Sequence, residues 1–130
     1  MINITVLGKP ITKKNSQRIL YNQKTRRPFI SPSKQYLHYR ADFLIQVRSF
    51  RRKNPFNEPI CIQALYYMPD RRKVDITNLM NATHDLLTEA GIIADDSSKI
   101  VKSVDGTRVL VDKDNPRVEI TITKFSERNE

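Results

Sequence analysis

The chain has 130 residues, of which 38% are hydrophobic and 28% charged, enough for one domain with its own core and too apolar for intrinsic disorder. No apolar run approaches the ~20 residues of a membrane helix, the opening MINITVLGKP has no signal-peptide core, and the lone Cys61 excludes an internal disulfide or a cysteine zinc cluster. The expected class is a soluble, intracellular domain. The net charge of +9 is unevenly spread: residues 1–73 hold 16 basic and 3 acidic side chains, residues 74–130 hold 7 and 11. The basic half predicts a polyanionic partner. The acidic half fits either metal binding at a phosphate-processing centre or a solvated surface.

In chain order, Ile2, Ile4 and Val6 alternate with Asn3 and Thr5 and predict a half-buried strand. From 8 to 33 the periodicity vanishes, and Pro10, Pro28 and Pro32 punctuate a long basic loop carrying Lys13, Lys14, Asn15, Arg18, Arg26 and Arg27. Ser33 is a candidate N-cap. Tyr36, Tyr39, Phe43, Val47 and Phe50 recur at steps of three and four, a helix face running to about Arg52. The triplet Arg51-Arg52-Lys53 reads as a charged helix end. Residues 60–68 read as a buried strand stopped by Pro69. A second helix is predicted over 76–90, with Ile76, Leu79, Thr83, Leu86 and Ala90 on its apolar face and Gly91 at C′. Its other face carries Asn78, Asn81 and Asp85. Strands follow near 99–104, 109–111 and 118–123, and residues 125–130 read as a frayed tail. The predicted fold is a single α+β domain over 1–130, in the order β-α-β-α-β-β, with two helices on one face of a small mixed or antiparallel sheet.

The chemistry-bearing residues gather in the stretch MPDRRKVDITNLMNATHDLLTEAGIIADDSSK, residues 68–99. A strand ends in MPDRR. Asp75 and Asn78 open a helix as D-x-x-N, Asp85-Leu86-Leu87 lies further along it, and a glycine precedes Asp95-Asp96. This motif set resembles the RusA family of Holliday junction resolvases, and the early GKPITKKNSQR and PSKQYLHY are similar to that family's loop and first helix. The resemblance implies a magnesium-dependent endonuclease (Mn2+ as the substitute), homodimeric, acting on four-way or branched DNA in recombination and repair. It also implies a cytoplasmic protein of a bacterium, phage or prophage.

Hydrolysis of a phosphodiester builds negative charge on the attacking, non-bridging and leaving oxygens, and divalent ions held by carboxylates stabilise that charge. The resemblance maps metal ligands to Asp75 and Asp96, with Asp95 and Asp85 as the candidates to complete the set. Two positions depart from the family pattern D-x-D-N. Its second Asp falls on Thr77, and a later helix lysine falls on Asn81. Both changes remove charge from the expected centre, which predicts either a relocated ligand set or a weakened or lost activity.

Asn78 is expected beside a carboxylate rather than on the metal, and Thr77 and Asn81 are expected nearby. Plainer roles stay open: Asp75 as a helix cap, Asp95-Asp96 as a turn, Asp85 bonded to a backbone or arginine group. The DNA contacts are expected from Lys13, Lys14, Asn15, Arg18, Arg26 and Arg27, with Arg71, Arg72 and Lys73 closest to Asp75. His38 and His84 read as surface or satisfied histidines. Two rival functions remain: an inactive or weak relative that binds branched DNA, and a basic RNA-binding module.

Overall fold

The computed structural model describes residues 1–13 and 17–126. Among the described residues, seven strands and two helices follow in the order β1 (Ile2–Leu7), β2 (Gln17–Tyr21), β3 (Pro28–Pro32), α1 (Lys34–Val47), β4 (Ile60–Met68), α2 (Ile76–Glu89), β5 (Val101–Ser103), β6 (Arg108–Val111) and β7 (Arg117–Lys124). A single 3-10 turn, Arg48–Phe50, extends α1. The main sheet is mixed. Antiparallel β1, β7 and β4 lie side by side, and β5 and β6 both pair parallel with the free edge of β4. A parallel pairing needs a crossover, and α2 supplies it. The expected α+β fold, with two helices and a small mixed sheet, is present.

The core lies between one face of this sheet and the two helices. Ile60, Ile62, Ala64, Tyr66 and Met68 alternate inward along β4, Val118, Ile120 and Ile122 along β7, and Ile4 and Val6 along β1. Phe43 and Val47 of α1 and Leu79, Leu86 and Leu87 of α2 close over them. One polar bridge crosses the core: the Tyr66 hydroxyl bonds Thr83 Oγ1 at 2.7 Å, and Thr83 Oγ1 in turn donates to Leu79 O at 3.0 Å. Both helices start on side-chain caps. Ser33 Oγ accepts from the Tyr36 backbone N at 3.1 Å, and Asp75 caps α2. That helix ends in a Schellman turn, with Gly91 N on Thr88 O, Ile92 N on Leu87 O, and Gly91 at φ 76.

Three expectations need correction. The stretch 8–33 is not a bare loop, because β2 and β3 form a separate antiparallel hairpin with Tyr21 opposite Pro28. A two-stranded ribbon has only edges, so proline is tolerated there and no buried face imposes alternation. Ile76, expected on the apolar face of α2, is 36% exposed, whereas Asn78, expected opposite, is buried. Phe125 is not frayed, since its backbone N donates to Pro59 O at 3.0 Å. The rest of the expected tail, 127–130, lies outside the described residues, as do Lys14 and Asn15.

Candidate active site

The C-terminal end of β4 delivers Arg71, Arg72 and Lys73 to the N-terminus of α2. All three are exposed. Asp70 organises the turn: its Oδ1 accepts from the Arg72 backbone N at 2.9 Å, and its Oδ2 lies 3.8 Å from Arg72 Nε. Asp75 follows at the cap position. Its Oδ1 accepts from the backbone N of Thr77 at 2.8 Å and of Asn78 at 3.3 Å. The capping role is therefore real, and it uses one oxygen; Oδ2 has no protein partner among the described residues. Asn78 touches Asp75 through its backbone N, and Thr77 and Asn81 are exposed near it on the first turns of α2.

The other carboxylates lie elsewhere. Asp95 and Asp96 sit in the turn that follows α2. Asp95 Oδ1 accepts from the Asp96 backbone N at 2.9 Å, and hydrogen bonds from Ser97 and Asp96 hold the Asp95 carboxyl below its ordinary range. Asp96 is close enough to His84 for its charge to act on the imidazole. His84 stands nine residues beyond Asp75, ~14 Å along the helix axis. Asp85 belongs to a third neighbourhood. Burial first, then the charges of Asp85 and Glu89, push the Tyr36 hydroxyl up to about 12, and Arg40 of α1 pairs with Glu89. Asp85 thus faces α1, not Asp96. Among the described residues no three His, Cys, Asp or Glu side chains form a group fit for a metal ion. A single chain does not assemble the expected ligand set.

Lys13 is exposed, Arg18 lies on β2, and Arg26 and Arg27 close the β2–β3 hairpin beside an exposed Tyr21. Asn22 builds this tip, its Oδ1 accepting from Lys24 N at 2.9 Å and Thr25 N at 3.1 Å. Arg26 adopts φ 56, a left-handed conformation that costs a side chain-bearing residue ~1 kcal/mol. Keeping an arginine where glycine would relax argues for a use of its side chain.

Two features escaped the sequence reading. His84 is neither at the surface nor satisfied: it is 9% exposed, and its Nε2 has no partner among the described residues. Burial lowers its pKa, opposed by Asp96. Arg117 sits 3.8 Å over the Tyr67 ring and pairs with Asp112 at 2.8 Å and Glu119 at 2.7 Å. Its charge is already neutralised, so it braces the sheet rather than offering a phosphate contact. The pairing of Arg117 with Glu119 two residues on, along one strand face, was the available signal.

Residues 8–123 match the family described as Endodeoxyribonuclease RusA. The chain is 39% identical over 67 residues to the crossover junction endodeoxyribonucleases RusA of Enterobacteria phage 82 and of Escherichia coli strain K12. The same figure holds for that of Shigella sonnei. Each alignment covers 52% of this chain and 53% of the relative, so the chain spans about half the length of the curated relatives it matches. No helix among the described residues is long and apolar enough to cross a membrane. The match along residues 8–123 runs from the basic hairpin through the capped Asp75 to the last strand, and the chain belongs to the endodeoxyribonuclease RusA family.

Proposed function

We propose that this chain is a structure-selective endodeoxyribonuclease that nicks four-way and branched DNA by Mg2+-dependent phosphodiester hydrolysis, as a cytoplasmic homodimer serving recombination and repair. The observation that carries the reading is the β4–α2 junction, where the exposed run Arg71–Lys73 ends two residues before Asp75 and one Asp75 oxygen has no protein partner among the described residues. The basic run holds the DNA backbone through charge-assisted hydrogen bonds, and Asp75 offers a carboxylate beside it. Bound Mg2+ would stabilise the charge that develops on the attacking and leaving oxygens.

Asp75 and Asp96, with Asp95, are the proposed catalytic carboxylates. Asp75 caps the start of α2 and Asp96 lies in the turn beyond its end, an arrangement that favours a site taking Asp75 from one copy and Asp96 from another. That arrangement is the physical support for a homodimer. A C2 pair would carry two such sites and could make paired nicks.

The test is a labelled four-way junction incubated with and without Mg2+, beside a linear duplex of the same sequence. The proposal expects metal-dependent nicks at the junction and little on the duplex; equal cutting of both, or cutting in EDTA, would overturn it. A second reading is favoured by one observation, the neutral Thr77 and Asn81 beside Asp75. On that reading the chain binds branched DNA and cuts it weakly or not at all, and the same assay separates the two through binding without product.

A further inference from the structure

We propose that Arg51, Arg52 and Lys53 form a second phosphodiester-binding site, at the Asp96 end of α2, that grips the DNA backbone some distance from the Asp75 end. The triplet is more than a charged helix end. After the 3-10 turn the chain runs beside the segment that follows α2: Arg52 N donates to Gly91 O at 3.2 Å, Phe56 N to Ile92 O at 3.0 Å, and Ala94 N to Phe56 O at 2.9 Å. Phe56 and Ile93 form a parallel bridge. These bonds fix the triplet next to the turn that carries Asp95 and Asp96.

The site is preorganised. The Arg52 guanidinium lies 4.0 Å over the Phe56 ring, and its Nε donates to Asn54 O at 3.2 Å. Stacking of this kind fixes the guanidinium plane and leaves its remaining N–H donors to a ligand. The Arg51 side chain packs over Gly91, where an added Cβ would come within 3.2 Å of it. The glycine needed for the helix stop therefore also makes room for the arginine.

The charges are available. None of the three makes an ion pair among the described residues, whereas Arg40 and Arg117 are each paired closely with a carboxylate. Beside Arg52 and Phe56 a cleft of about 370 Å³ continues to Asn57, Glu58 and Lys124, roomy enough for the sugar next to a bound phosphate. Three unpaired cations in sequence, one of them braced on an aromatic ring, match a polyanion with regularly spaced charges. A phosphodiester backbone is that polyanion.

The inference rests on the proposed action on branched DNA and adds where the substrate lies: along α2 from the Arg71–Lys73 run to Arg51–Lys53. It is tested by binding of the full chain to a labelled four-way junction without metal, over a salt series, for the parent and for Arg51→Gln, Arg52→Gln and Lys53→Gln combined. The combined variant should bind at least ~10-fold more weakly, and its slope of log K against log salt should be shallower by roughly 0.9 for each phosphate that the triplet no longer neutralises. An unchanged affinity and slope, with a parent that binds, would overturn the site and leave the nuclease reading standing. A parent that binds no junction would overturn both. A second measurement uses the unaltered chain, and so does not depend on the variant folding: acetylation of Lys53 should slow when junction DNA is bound, and equal labelling with and without DNA would sink the proposal.

Discussion

Asp75 caps α2, and one substitution separates that role from the metal-binding role proposed for it. Asparagine caps a helix as well as aspartate, so Asp75→Asn should leave thermal stability within about 0.5 kcal/mol of the parent and keep junction affinity. Nicking should nevertheless fall at least ~100-fold, since the lost charge is what a divalent ion needs. A rate within a few-fold of the parent would reduce Asp75 to a cap. Thr77→Asp asks the complementary question. Thr77 is exposed in the first turn after the cap, and a faster metal-dependent rate would show that the centre is short of carboxylate. His84 tests a cost. A buried nitrogen without a partner destabilises by ~1–3 kcal/mol, so His84→Phe should raise the melting temperature. The sign with pH follows from burial lowering the folded-state pKa. The unfolded chain binds the extra proton first, so the parent loses stability as pH falls below ~6.5. The phenylalanine variant should lack that acid-side loss, and equal acid slopes in thermal melts would contradict the assignment.

Elements carry information in proportion to the faces they bury. The strands β1, β4 and β7 and both helices face the core, so their alternation and three-four spacing were legible, down to Ser33 and Gly91 as helix start and stop. The β2–β3 hairpin lies outside the main sheet, and nothing in its pattern announced it. Its tip makes a prediction of its own. Arg26→Gly relieves the left-handed backbone at φ 56, so stability should hold or rise while junction affinity drops. Loss of stability with unchanged affinity would place the arginine in the fold rather than on DNA. The candidate site was legible residue by residue, because an Asp before a helix and an Asp pair after a glycine can be read from sequence. Their placement was not. Asp85 and His84 are neighbours in sequence, yet one feels Tyr36 and Arg40 and the other Asp96, a step of about 100° around the helix that only the packing of α2 against α1 turns into different neighbourhoods.

At the scale of the whole molecule, α2 separates the two ends at which the proposed site residues stand. The Arg71–Lys73 run and Asp75 stand at its N-terminus, and Asp95–Asp96 with the Arg51–Lys53 triplet stand near its C-terminus. On the proposed reading, a centre built from Asp75 and Asp96 draws on two copies of the chain. The most direct measurement mixes two inactive variants, Asp75→Asn and Asp96→Asn, in equal amounts after co-refolding, and follows nicking of a four-way junction in Mg2+. Half of the randomly paired dimers would be mixed, and each mixed dimer would hold one intact site, so nicking should return to about a quarter of the parent's. If the mixture stays as inactive as either variant alone, the carboxylates do not meet across a dimer, and the account of this active site is wrong.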